Sequence, residues 1–95
     1  MALLYYSVHY PKPEKETMLI EAMRQVGKAL EKLPGCLFDK AFQDQNLGTI
    51  MAITIWESQE AFQAARPAMV EALKAIPFDE WEARPREFHT LNSLW

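Results

Sequence analysis

Apolar side chains along this 95-residue chain fall into two periods, one of two residues and one of three to four, and the switches between them mark out the elements. Leu3 to Tyr10 reads as a strand ended by Pro11 and Pro13. Alternation places Ala2, Leu4, Tyr6, Val8 and Tyr10 on one face and Leu3, Tyr5, Ser7 and His9 on the other. Neither face is simply polar, so the strand is expected to be covered on both sides. Pro13 suits a first helical turn, and Leu19, Met23, Val26, Leu30 and Leu33 recur at one helical stripe, predicting a helix from about Pro13 to Leu33 that stops at Pro34-Gly35.

Cys36 to Gln43 and Thr49 to Glu57 read as two strands of a hairpin turning through Asp44-Gln45-Asn46-Leu47-Gly48. In the second of them Met51, Ile53 and Ile55 oppose Ile50, Ala52, Thr54 and Trp56, so it too lacks a solvent face and belongs at the centre of a sheet. Ser58 is a natural N-cap for a second helical region in which Phe62, Ala65, Met69, Leu73 and Ile76 form the stripe. Pro67 removes one helical hydrogen bond, which predicts a kink or two short helices. Phe78 to Pro85 is a connection anchored by Trp81, and Arg86 to Leu94 a last strand.

The order βαββαβ predicts an α+β, ferredoxin-like domain: a four-stranded antiparallel sheet with both helical regions on one face. Residues 1–95 make a single domain. Helices cover one sheet face only, and the apolar surplus on strands one and three needs a second cover. A copy of the same chain is the simplest source, so a homodimer joined through the sheet face is expected.

Composition narrows the functional classes. Ten Lys and Arg against thirteen Asp and Glu, a formal charge of −3, oppose a phosphate-binding surface, and no nucleic-acid partner is expected. Met1 to Tyr10 resembles neither a signal peptide nor a membrane span, and one cysteine, Cys36, forms no internal disulfide; a cytoplasmic protein with no membrane partner is the expectation. No glycine-rich phosphate loop or nucleophile elbow appears. Asp79-Glu80 with Glu82 reads as a polar loop.

The run Leu33-Pro34-Gly35-Cys36-Leu37, a hairpin, and then Ile55-Trp56-Glu57-Ser58-Gln59-Glu60-Ala61-Phe62 resembles the antibiotic biosynthesis monooxygenase-like family of dimeric α+β barrels. That resemblance implies a pocket between sheet and helices in each subunit. Some members oxygenate aromatic polyketides or quinols without a cofactor, and others degrade haem. The haem-degrading pattern needs an Asn on the first strand and a Trp and a His on the second helical region. Here Ser7-Val8 stands near the Asn position, and Ser58 to Ile76 contains neither Trp nor His. The implied reading is a monooxygenase with no cofactor acting on a small aromatic, polyketide or quinol-like molecule; the alternative is a non-catalytic barrel that binds a small apolar ligand or serves a structural role.

Cofactor-free oxygenation needs a base and donors in a dry pocket. His9 is the catalytic candidate, because imidazole is the side chain that exchanges protons near neutrality. Tyr5 and Ser7 share its strand face and Trp56 ends the central strand beside the helix cap; these, with Arg66 as a cation for an anionic substrate, are the substrate-binding candidates. His89 on the last strand is expected to meet His9 if the two strands are neighbours. Two histidines without further ligands define no metal site.

Overall fold

A computed structural model describes residues 1–95. Its elements are β1 (Leu3–His9), a single 3-10 turn (Pro13–Lys15), α1 (Glu16–Leu30), β2 (Cys36–Gln43), β3 (Ile50–Trp56), α2 (Gln59–Leu73), the one-turn α3 (Phe78–Trp81) and β4 (Glu87–Asn92). The sheet is antiparallel throughout, in the order β2-β3-β1-β4. This is the ferredoxin-like α+β arrangement expected from the chain order, with β3 and β1 central.

Register fixes which residues meet the helices. Leu3, Ser7 and His9 of β1, and Ile50, Thr54 and Trp56 of β3, are buried. They therefore form the covered face, and Leu4, Tyr6 and Val8 with Met51, Ile53 and Ile55 form the open one. The core has two parts. Leu3, Val26, Leu30, Trp56, Phe62, Ala65 and Met69 make the larger cluster. Leu19, Ile50 and Phe78 make the smaller one, with Met23, Leu73, Ile76 and Trp81 packed around it. Trp81 thus helps to anchor its segment as expected, but Phe78 is the residue driven into the core.

Three local expectations are revised. The first helix is shorter than its apolar stripe: Pro13–Lys15 winds as a 3-10 turn, and Leu33 lies beyond the helix in a turn closed by Leu33 N–H to the Leu30 carbonyl. The second helix is one element, with Pro67 inside it. Tertiary packing of Phe62, Ala65 and Met69 on the turns to either side carries the helix across the missing bond. Ser58 caps that helix as expected, its Oγ accepting from the Ala61 N–H at 3.0 Å. His89 does not meet His9. The strands are neighbours, but His89 is opposite Tyr6 and stacks on its ring at 4.9 Å on the open face, while His9 points to the helices.

The turns follow from their residues. Asp44 Oδ1 accepts from the N–H groups of Asn46 and Leu47, both at 2.8 Å, and Gly48 takes φ +73° to close the hairpin. No helix is long and apolar enough to cross a membrane.

Candidate functional site

Ser7 and His9 are two positions apart on β1 and so project to the same side. Ser7 Oγ lies 2.7 Å from His9 Nε2. The other imidazole nitrogen, Nδ1, lies 2.9 Å from Oε2 of Glu82, whose Oε1 accepts from the Tyr10 N–H at 2.8 Å. All three side chains are buried: Ser7 is 6%, His9 2% and Glu82 6% exposed. Against a carboxylate that only accepts, Nδ1 carries the proton, which leaves Nε2 to accept from the Ser7 hydroxyl. The arrangement is a serine–imidazole–carboxylate relay able to take a proton at Ser7 Oγ and pass it to His9.

Backbone pairing brings Glu82 there. Pro11 and Glu82 form an isolated antiparallel bridge, Lys12 N–H bonds to the Trp81 carbonyl and Ala83 N–H to the Tyr10 carbonyl. The 81–83 segment thereby continues the sheet beyond the end of β1. The Phe78 ring stacks on His9 at 5.6 Å, and the Arg86 guanidinium lies over the same Phe78 ring at 3.9 Å. Glu82 completes this buried network, although its sequence reads as part of a polar loop. The only signal for it in the chain is its place one residue after Trp81, the expected anchor.

Tyr5 continues the same strand face. Its ring packs 5.2 Å from Phe62 and 6.2 Å from Phe88, and together with Arg66, Phe88, His89 and Thr90 it lines a groove of about 370 Å³ between α2 and β4. Arg66 lies 5.7 Å from the Phe62 ring and is shared with an adjoining depression beside Pro67 and Val70. Arg86 reaches the Phe88 ring at 5.0 Å. Burial pushes the Tyr5 phenol above the ordinary tyrosine range, with Arg66 and Arg86 pulling it partly back, so at neutral pH it presents an O–H donor.

The structure thus brings His9 and Ser7 together with Glu82, and Tyr5 together with Arg66. Ser7 joins the two groups in sequence and space: it follows Tyr5 by two positions and is paired across the sheet with Phe88. Trp56 is in neither group. It is wholly buried in the larger core cluster, and its Nε1 donates to Thr54 Oγ1 at 2.9 Å. No group of three or more His, Cys, Asp or Glu side chains is placed to hold a metal ion.

The sequence model for antibiotic biosynthesis monooxygenases matches residues 7–69, about two thirds of the chain and all of β1 from Ser7 through most of α2. The chain belongs to the antibiotic biosynthesis monooxygenase family. No curated protein sequence matches it. Among solved structures, Rv0793 from Mycobacterium tuberculosis superposes with a TM-score of 0.85 at 17% identity, covering 99% of this chain and 96% of the other. PA3566 from Pseudomonas aeruginosa gives 0.79 at 17% identity, with coverages of 99% and 95%. A structure described as an antibiotic biosynthesis monooxygenase gives 0.77 at 17% identity, with coverages of 97% and 98%. At these identities the likeness is one of fold. The family match includes Ser7, His9, Trp56 and Arg66 but ends before Glu82 and Arg86, so the carboxylate of the relay comes from outside the matched segment.

Proposed function

We propose that this family member is a cofactor-independent monooxygenase for a small aromatic, polyketide or quinol-like substrate lying between sheet and helices. The observation that carries the reading is the oriented Ser7–His9–Glu82 relay ending beside an aromatic groove. Phe62, Phe88 and Tyr5 offer flat apolar contact, Arg66 and Arg86 offer charge to an anionic oxygen, and the Tyr5 O–H offers a donor. A substrate carbon acid or phenol loses its proton through Ser7 to His9. The resulting anion passes one electron to molecular oxygen, and the radical and superoxide combine to a peroxide anion that takes the proton back from His9 through Ser7 as a hydroperoxide. Loss of water from it leaves one oxygen atom in a product carbonyl and the other in water. Substrate reaches Ser7 by displacing the ring of Phe88, which is half exposed. We further propose that the protein acts as a cytoplasmic homodimer through its open sheet face, where Tyr6, Val8, Ile53 and Ile55 lie with Phe42 and Leu91.

One observation favours the non-catalytic reading. Every polar atom of the relay already has a protein partner, and the three side chains are closed to solvent, which equally describes a satisfied structural network binding the 81–83 segment to β1. Oxygen consumption with a panel of anthrones and hydroquinones separates the two. The oxygenase reading expects turnover that His9→Ala reduces at least tenfold in a variant that keeps its fold. An unchanged rate removes His9 from the mechanism, and saturable binding of the same compounds without oxygen uptake establishes the binding protein.

A further inference from the structure

A second concavity lies on the other side of the covered face, between α1 and the β2–β3 hairpin. It encloses about 430 Å³ and is lined by Ile20, Met23, Val26 and Ala52 with Asp39 and Thr54 from the sheet. Asp39 is the anomaly in this wall. It is the residue opposite Thr54 on the edge strand, its side chain is half-buried, and its Oδ2 is cut off from solvent with no hydrogen-bond partner. A buried acceptor without a donor is unfavourable, and more so when it is charged.

The helix above has been shaped to this carboxylate. Gly27 sits inside α1, where glycine is less favourable than alanine. A Cβ there would come within 2.9 Å of Asp39 Oδ1, so the missing side chain is what lets the carboxylate lie against the helix. Arg24, Lys28 and Glu31 of α1 and Lys40 of β2 complete the charged lining. Arg24, Lys28 and Lys40 oppose a cationic ligand, and Asp39 with Glu31 opposes an anionic one. What the wall accommodates is a neutral molecule with an apolar body and one donor.

We propose that this cavity binds a small neutral phenol, its ring against the apolar residues of α1 and β3 and its O–H donating to the Asp39 carboxylate. Asp39 lines the cavity, and a partial turn about its Cβ–Cγ bond, a broad torsion, brings the unpartnered oxygen to the ligand. Burial chiefly, with Glu31 adding and Lys40 opposing, raises the Asp39 acid to about 6, so at pH 7 the acceptor is ionised and its hydrogen bond is charge-assisted. The site is separate from the α2–β4 groove and does not depend on the oxygenase reading.

The test is amide NMR titration of the intact protein at pH 7 with 4-methylphenol and with 4-methylanisole, which has the same body and no donor. The expected result is saturable shifts at Gly27, Asp39 and Thr54 with 4-methylphenol, an affinity at least tenfold above that for 4-methylanisole, and loss of that preference in Asp39→Ala. The comparison of the two probes on the unsubstituted chain holds even if the variant does not fold. Equal affinities, no saturable shifts, or shifts confined to Tyr5, Arg66 and Phe88 overturn the proposal.

Discussion

His9 and Glu82 lie 73 positions apart, yet Nδ1 of one and Oε2 of the other are 2.9 Å apart in the interior, making the pair the longest-range buried side-chain hydrogen bond of the relay. Its consequence is a fixed tautomer. Glu82→Gln keeps an acceptor for the Tyr10 N–H but presents an amide N–H to Nδ1, which forces the imidazole proton onto Nε2 and makes Ser7 the acceptor. Glu82→Ala leaves both His9 Nδ1 and the Tyr10 N–H unpaired. We expect Glu82→Ala to destabilise by about 3–5 kcal/mol and Glu82→Gln by about half as much. Denaturant unfolding gives the ordering and imidazole 15N shifts give the tautomer; equal losses, or an unaltered tautomer in Glu82→Gln, contradict this account.

The chain reversal after α1 rests on Gly35. Its φ of +84° is one that a side chain resists, and a Cβ there would stand 2.5 Å from the Ala61 Cβ in the first turn of α2. Gly48 has a similar φ of +73° with open space around it. Gly48→Ala therefore measures backbone strain alone, about 1–2 kcal/mol, and Gly35→Ala adds the clash, for about 2–5 kcal/mol in all. Thermal unfolding of both variants checks the difference; a Gly35→Ala no worse than Gly48→Ala shows that α2 shifts freely.

Much of this molecule is legible in its letters because period and punctuation are local. Leu19, Val26 and Leu30 mark the buried stripe of α1, Ser58 caps α2, and the double-sided patterns of β1 and β3 give their central places. Of the site, Ser7, His9 and Tyr5 could be grouped from strand parity alone. Glu82 could not, because nothing in Trp81-Glu82-Ala83 announces that the segment bridges to Pro11. The His9–His89 meeting fails for a reason of register: antiparallel pairing sets His89 opposite Tyr6, and a shift of one residue sends a side chain to the other face. Trp56 drew attention by its place at the end of β3 beside the helix cap, and its large apolar ring is what places it in the core.

Asp39 makes stability depend on pH in the direction opposite to that of a salt-bridged carboxylate. Its acid is raised from 3.8 to about 6, chiefly by burial, so between pH 4 and pH 6 the folded state binds more protons than the unfolded one. Stability contributed by this group is therefore present at pH 4 and lost as pH rises through 6. Solvent screening of a half-exposed carboxylate reduces the effect to roughly 1 kcal/mol. Asp39→Asn, which cannot ionise, should gain on the parent by about that amount between pH 4 and pH 7. Urea melts of both proteins across this range test it; a difference that is flat or of opposite sign removes the burial argument.

Ile53 occupies the middle of the open sheet face, on the central strand β3, opposite Tyr6 on one side and Lys40 on the other. Around it on that face Met51, Phe42 and Leu91 are 38%, 52% and 53% exposed, an apolar surface that a single sheet has no helix to cover. A stable dimer buries about 800 Å² per subunit. If two sheets pack through it, a carboxylate at Ile53 is buried against an apolar partner without a counter-charge, which opposes association far more than it disturbs the helix-side core. The parent protein is expected to sediment as a dimer at micromolar concentration and Ile53→Glu as a monomer with an unchanged far-ultraviolet circular dichroism spectrum. A monomeric parent, or an Ile53→Glu protein that still dimerises, would show that the second cover of this sheet is not another copy of the chain.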